Sequence, residues 1–257
     1  MTRTESNIRC RVAPALVAAL VGLTLSACGG GGSPDAAIQH GDARSGRAAS
    51  TVIVRVGGST VTRLMYDHWM TIGAATVTAP PARGALLKPL AYEPPAFAAC
   101  VAHLQASARR GRTAAQLKAA CKETYAGIQA RILAFLITGY WLREQAAEQG
   151  QTVTPVEVRK KFDEERRAHY TAASFRRLRE ASRQTVPDLE FAEQTQMLST
   201  KLVEDFTKTH PHETEAATIA TFNRTIRATW LSRTHCASGY VVPDCKQYRR
   251  PKSATSK

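Results

Sequence analysis

Apolar residues recur every three or four positions along residues 113–149, the spacing that places side chains on one face of an α-helix. This stripe contains Leu117, Cys121, Tyr125, Ile128, Ile132, Phe135, Gly139, Leu142 and Ala146. In the second half of the segment the stripe is widened by Leu133, Leu136, Ile137, Tyr140 and Trp141. A helix that is apolar around most of its circumference is normally buried. We therefore expect this helix to be the hub of the core and to make the domain elongated.

A β-hairpin is predicted at the start of the folded part of the chain. Residues 52–56 are rich in Val and Ile, which favour strands. Gly57 and Gly58 tolerate the positive φ angles of a tight turn, and Val61 lies on the return strand. Thr62 is placed to cap a helix that begins near residue 64. Because a two-stranded hairpin is marginal alone, it must pack against helices.

Further helices are indicated by capping and breaking signals along the rest of the chain. A proline-rich loop over residues 79–95 precedes a short helix at about 96–109. Capping sequences begin at Thr154 and Thr185, each with Pro in the first helical turn. The remaining expected elements are a short helix near 173–181, a break at Pro211, a last helix around 219–230 and a small loop from Cys236 to Cys245.

The first residues have the pattern of an exported protein. A basic start is followed by a short apolar run and then by Leu25-Ser26-Ala27-Cys28, which resembles a bacterial lipobox. In such a signal the cysteine is lipidated and the chain is cut before it. The alternative is a plain secretory signal with an incidental cysteine. The expected division is a signal peptide over 1–27, a Gly/Ser/Ala-rich tether over 28–50, a helical domain over 51–248 and a basic tail over 249–257.

Charge narrows the range of partners. The formal net charge is +14, which would suggest nucleic acid in a cytoplasmic protein. An exported protein rarely meets nucleic acid, so anionic lipid headgroups, acidic wall polymers or unfolded chains are the expected partners. Much of the excess comes from arginines along predicted helices, and such a pattern also occurs on an ordinary solvated face.

Cysteine usage agrees with an oxidising compartment. Apart from Cys10 and Cys28, the chain contains Cys100, Cys121, Cys236 and Cys245. Four cysteines allow three connectivities, and pairing of sequence neighbours, 100 with 121 and 236 with 245, is the local choice. None of the spacings is Cys-x-x-Cys, so neither a zinc site nor a thiol oxidoreductase is indicated.

Taken in order, these motifs resemble the extracytoplasmic foldase lipoproteins with a SurA-type N-terminal domain, close to PrsA-like proteins. The resemblance rests on the lipobox, on residues 52–62 with the helix behind them (66–70), on 142–150 running into 153–158 and Phe162, and on the terminal segment 230–245. It implies a mainly α fold, an elongated SurA-like helical domain with one small N-terminal β-hairpin.

One departure from the family bears on function. Its members commonly insert a parvulin-type prolyl isomerase domain of about 90 to 100 residues before the last helix. The equivalent junction here, residues 209–212, is very short. We therefore expect a non-enzymatic chaperone, anchored to the cell membrane by its lipid, that holds unfolded exported proteins. The alternative is a structural or partner-binding envelope lipoprotein that kept the fold without the foldase role.

A chaperone of this kind needs an apolar, adaptable surface with a polar rim. The candidate client-binding residues are Trp69, Met70, Tyr92, Phe97, Tyr140 and Trp141. Ordinary core packing is the competing interpretation of each. No catalytic motif, cofactor site or nucleic-acid partner is predicted, and His210 and His212 have no companion ligands for a metal.

The lipobox generates the first testable prediction. Cys28→Ala should leave protein that is exported but neither cleaved before residue 28 nor acylated, because the thiol is the acceptor of the lipid. Mass spectrometry of the N-terminus of the exported protein measures this. An unmodified Cys28 in a wild-type chain cleaved elsewhere would contradict the lipoprotein assignment.

Overall fold

The computed structural model describes residues 51–77, 93–107 and 111–250, and within them the fold is mainly α-helical with one small sheet. The elements are β1 (Val52–Val56), β2 (Ser59–Thr62), α1 (Arg63–Val77), α2 (Ala98–Ser107), α3 (Ala114–Glu148), α4 (Pro155–His169), α5 (Ala172–Ser182), α6 (Val186–Lys208), α7 (Glu215–Leu231) and β3 (Thr234–Cys236). The expected signal peptide, Cys28 and the tether lie outside these ranges. None of the described helices is both long enough and apolar enough to cross a membrane.

Helix α3 is the hub of the core, as its sequence predicts. Its 35 residues correspond to a length of about 50 Å. Leu133, Leu136 and Ile137 are all fully buried, and apolar residues of α1, α6, α7 and the sheet pack in the same cluster. Thr113 opens the helix with a capping box, and Gly150, at a φ of +67°, follows its end.

The sheet has three strands rather than the two that the sequence predicts. Its order is β2-β1-β3, and both neighbours run antiparallel to β1. In the second pair, Val54 lies opposite Cys236 and Val56 opposite Thr234. The hairpin prediction is therefore incomplete, because a strand of three residues is too short to show an alternating pattern. As the central strand, β1 has partners on both sides.

The hairpin turn is seated on α3. Glu144 accepts hydrogen bonds from the Ser59 hydroxyl at 2.5 Å and from the Gly58 amide at 3.4 Å. Gly57 has a φ of +54°, and a Cβ at this position would lie 2.9 Å from the Glu144 carboxylate and 3.0 Å from the Trp230 ring. Both conformation and space therefore require glycine here.

The structure pairs the cysteines by the local choice. Cys100–Cys121 joins α2 to the early turns of α3, within a small apolar cluster that also contains Phe97. Cys236–Cys245 closes the terminal loop next to β3. Each bridge thus restrains a peripheral segment, and neither links two elements of the main core that are distant in sequence.

A buried hydrogen bond between α3 and β3 generates a stability prediction. The Trp141 indole donates to the Thr234 hydroxyl at 2.6 Å, and this hydroxyl donates to the Trp230 carbonyl at 2.8 Å. Thr234→Val keeps the shape of the side chain but leaves the indole N–H buried without an acceptor. The free energy of unfolding should fall by about 1 to 3 kcal/mol, as measured by urea denaturation followed by tryptophan fluorescence.

A matched control is the same substitution at Thr229, an exposed α7 residue whose hydroxyl bonds only the Thr225 carbonyl. Thr229→Val should change the free energy of unfolding by less than about 0.5 kcal/mol. Equal losses at the two positions would show that the indole bond adds nothing beyond the general effect of the substitution.

Candidate functional site

Most of the aromatic residues predicted to bind clients belong to the core. Trp69, Tyr140 and Trp141 are 4 to 5% exposed in the main cluster, and Phe97 is 4% exposed beneath α2. Met70 is partly buried against the main core, and Tyr92 lies outside the described residues. The four buried side chains do not form an open surface, so this interpretation of them is corrected to core packing.

Trp69 and Tyr140 are buried because α1 and α6 both pack against α3. Trp69 lies 4.8 Å from Phe135 and 5.9 Å from Phe191, measured between ring centroids, and Phe191 lies 6.4 Å from Tyr140. Offset aromatic contacts at such distances are favourable beyond the area they bury. These rings bind one another across three helices and are not available to a ligand.

An open groove lies instead where α4, α5 and the start of α6 come together. Its volume is about 430 Å³, within the range of small ligand sites. Four of its lining residues are apolar and four are charged: Phe162, Phe175, Val186, Pro187, Arg159, Asp163, Arg166 and Glu190. We call this feature the α4–α6 groove.

The local sequence explains why these side chains share one site. Residues 159, 162, 163 and 166 are spaced by three, four and seven positions, so they lie on one face of α4. That helix begins at the Thr154–Glu157 capping box. Helix α6 begins at a second capping box, formed by Thr185 and Asp188, which places Val186 and Pro187 in its first turn at the groove wall.

Charged groups form the rim and are partly paired. The Arg159 Nε atom donates to Glu190 at 3.3 Å, and Arg166 lies 3.1 Å from Asp163. The guanidinium groups of Arg166 and Arg179 lie 5.9 and 6.0 Å from the Phe175 ring centroid, within the range of cation–π attraction. The floor is thus formed by phenylalanine rings and the border by two arginines and two carboxylates, with Arg179 beside the Phe175 ring.

A His–Asp pair holds the α6 wall against α1. The His68 Nε2 atom lies 2.8 Å from Asp188 Oδ1, while the other Asp188 oxygen accepts from the Thr185 amide and hydroxyl, both at 2.6 Å. The hydrogen bond with Asp188 raises the pKa of His68 above its ordinary value, against the opposing effect of burial. Burial opposes ionisation of Asp188, but its bonds to His68 and Thr185 prevail and lower its pKa.

A second depression of about 370 Å³ lies between α3, α6 and α7. Its apolar members include Leu202, Phe206, Phe222 and Ile226, bordered by threonines and by Glu148 and Asp205. The His210 ring stacks on Phe206 at 4.0 Å, so this histidine has a packing role. The described part of the chain contains no group of three or more His, Cys, Asp or Glu residues that could hold a metal.

The sequence gives little indication of the α4–α6 groove, because α4 is strongly charged and contains few apolar residues. One signal was present: Phe162, at 3% exposed, has arginines three positions before and four positions after it on the same helical face. That pattern places a single large ring inside a basic border.

The chain matches no protein-family model, no curated protein and no solved structure.

The His68–Asp188 pair generates a prediction about pH. Because the folded-state pKa of His68 is raised, its stabilising effect is complete below the unfolded value of about 6.5. It is lost as the pH rises through the folded-state value. Asp188 acts in the opposite sense, because its folded-state pKa is lowered. Its stabilising effect is complete above about pH 3.8, the unfolded value, and is lost as the pH falls through the folded-state value. The free-energy difference between wild type and His68→Gln should therefore be largest between about pH 4 and 6.5.

Urea denaturation of both proteins from pH 4 to pH 9 measures this difference. His235→Gln is the control, since His235 is exposed on β3 and forms no ion pair with a described residue. A difference for His68→Gln that stays constant across the range would contradict the proposed coupling.

Proposed function

We propose that this protein is a lipid-anchored extracytoplasmic chaperone, a holdase that binds segments of unfolded exported chains without acting on them chemically. The α4–α6 groove is the observation that carries the proposal. It combines an open apolar floor with a charged rim, and this combination can hold an apolar side chain while keeping the surrounding surface soluble. Its volume suits a short segment, not a whole folded domain.

The weak attachment of α5 supports the proposal. No residue of α5 is fully buried, and Phe175 and Leu178 are only half-buried. Arg183, directly after the helix, has a φ of +61°, a conformation that is unfavourable for residues other than glycine. A wall with few buried contacts opens at low free-energy cost, which would let one groove accept side chains of different sizes.

The proposed compartment is supported by two independent features of the chain. The lipobox-like Leu25 to Cys28 predicts export and lipidation, and the two cysteine pairs at bonding distance are typical of oxidising compartments. A protein held at the outer face of the membrane would meet chains as they emerge from export.

The proposal includes no prolyl isomerase role, and the short α6–α7 connection supports this part of it. Residues 209–214 join these helices, with hydrogen bonds between nearby backbone groups at 210 and 213. A separate domain of about 100 residues, at the place where the foldase family carries one, has no room there. We expect binding without catalysis.

One observation favours the alternative, a partner-binding envelope lipoprotein. Among the described residues, the large apolar side chains that are exposed are Leu64, Val156 and Val241. General holdases present wider apolar surfaces, whereas a single small groove suits one defined segment of one partner. The two functions differ in the number of proteins that would be bound, many for a holdase and one for a partner-binding lipoprotein. Binding assays with several unrelated client proteins distinguish them.

The groove generates a prediction about aggregation. Mature protein at a several-fold molar excess should reduce the light scattering of at least two unrelated refolding clients. Phe175→Ser should remove most of this effect, because it replaces the half-buried apolar floor with a hydroxyl. The cis-to-trans isomerisation of a proline-containing test peptide should proceed at the same rate with and without the protein.

Val241→Ser is the matched control, since Val241 is 40% exposed and lies in the terminal loop away from the groove lining. It should suppress scattering as well as wild type. Unchanged scattering with every client would contradict the holdase, suppression of one client only would favour the partner-binding alternative, and faster isomerisation would contradict the non-enzymatic assignment.

A further inference from the structure

We infer that the α4–α6 groove selects peptide segments in which a large apolar side chain is flanked by carboxylates. The inference rests on the proposed function and names the chemistry of its ligand. The apolar residue would occupy the floor, where the half-buried Phe175 ring presents the accessible apolar surface beside the buried Phe162 ring. The flanking acidic residues would meet Arg159 and Arg179.

Arg159 on the border, and Arg179 beside the Phe175 ring, have terminal amino groups that are not hydrogen-bonded to described residues. Arg159 is bonded through Nε to Glu190, and Arg179 is bonded through Nε to the Gln184 carbonyl at 3.3 Å. Neither side chain makes a further hydrogen bond within the described part of the chain. In both, the two terminal amino groups therefore remain available in the planar arrangement that binds a carboxylate in bidentate fashion. Because Nε is already held, part of the conformational entropy cost of binding has been met.

The acidic residues at the groove do not cancel this preference. Asp163 and Glu190 are each paired with an arginine, so the four charges that line the groove sum to zero, and the positive excess comes from Arg179 and from the surface around the groove. Glu190 is 23% exposed at its side chain, whereas the side chain of its partner Arg159 is 72% exposed. A ligand approaching from solvent therefore meets the guanidinium before it meets the carboxylate.

The surface around the groove also carries a net positive charge. Residues 155–183, which form α4 and α5, contain nine Arg or Lys residues and five Asp or Glu residues. Arg176 and Arg177 are exposed on α5, and Lys160 and Arg167 are exposed on α4. This excess attracts acidic segments before contact and repels basic ones, and both effects weaken as salt is added.

The floor specifies the apolar part of the ligand. The Phe162 and Phe175 rings lie 6.0 Å apart, and Val186 and Pro187 border them. A carboxylate without an adjoining apolar side chain would leave this floor in water. Anionic lipid headgroups also bind arginine, but the floor lies in a concavity between helices, which suits a projecting side chain better than a flat bilayer surface.

The inference is tested with three labelled peptides that share one Leu-Phe core and differ in their flanks, which are Asp/Glu, Ser or Lys. Fluorescence anisotropy with the mature chain, produced without residues 1–27 and with Cys28→Ala so that neither the signal peptide nor an acyl chain is present, measures each Kd. The acidic peptide should bind at least tenfold more tightly than the Lys peptide, with the Ser peptide between them. The acidic advantage should shrink several-fold between 50 and 500 mM salt.

Arg159→Gln combined with Arg179→Gln should weaken binding of the acidic peptide by more than it weakens binding of the Ser peptide. Arg224→Gln is the control, since Arg224 is exposed on α7 and bonded to Thr221 within its own helix. It should leave all three affinities unchanged. Near-ultraviolet circular dichroism confirms that each variant is folded.

Equal binding of the three peptides would overturn the inference and leave the holdase proposal standing. An acidic advantage that survives in the double variant would overturn the assignment to these arginines. Binding to phosphatidylglycerol vesicles that depends on Arg159 and Arg179, with no peptide binding, would replace the peptide with a membrane surface. Absence of all binding would overturn the inference, and the aggregation assay with Phe175→Ser would decide separately whether the chaperone proposal also fails.

Discussion

The second half of α3 carries apolar side chains around most of its circumference, and the arrangement of the other main-core elements depends on the need to bury them. Ile132, Leu133, Leu136 and Ile137 are all at most 1% exposed, and burying side chains of this size is the main favourable contribution to folding. Helix α1, helix α6, helix α7 and the sheet each supply apolar residues to the cluster around them. Even the polar contacts serve this packing: Glu144 seats the hairpin turn on α3, and Gln145 accepts a bond from the Trp230 indole at 2.9 Å.

Because the surface of α3 is occupied by these partners, α4 and α5 pack elsewhere. Helix α4 buries only Val158 and Phe162, and α5 buries none of its residues. Both remain largely charged, and they enclose a cavity because their few apolar side chains do not fill the space beside the start of α6. The site thus forms where the core ends. The His68–Asp188 pair connects it back to α1, so the groove wall shares a hydrogen bond with the body of the protein.

The elements with strong local signals were predictable from sequence. The capping sequences at Thr154 and Thr185, each of which satisfies free amide groups at a helix start, locate α4 and α6 at their observed beginnings. The periodic stripe of α3 likewise identifies the core. Features that depend on packing between residues distant in sequence were not predictable. Strand β3 is too short to show periodicity, and the sequence does not distinguish whether aromatic residues such as Trp69 and Tyr140 are buried in the core or exposed at a binding surface. The groove was missed for this reason, since Phe175 and Arg159 become neighbours only through the folded arrangement of three helices.

The placement of β1 has a consequence for how the molecule is assembled. The first strand lies in the middle of the sheet, and its partner β3 comes almost at the end of the described chain. Arg63 and Tyr240, which are bonded at 2.9 Å, are 177 positions apart. A chain that emerges with its N-terminus first therefore carries an unpaired strand edge until nearly all of it has emerged. High contact order of this kind slows folding, and an open edge invites pairing with other chains in the interval. The protein would itself pass through a stage in which it needs protection from aggregation.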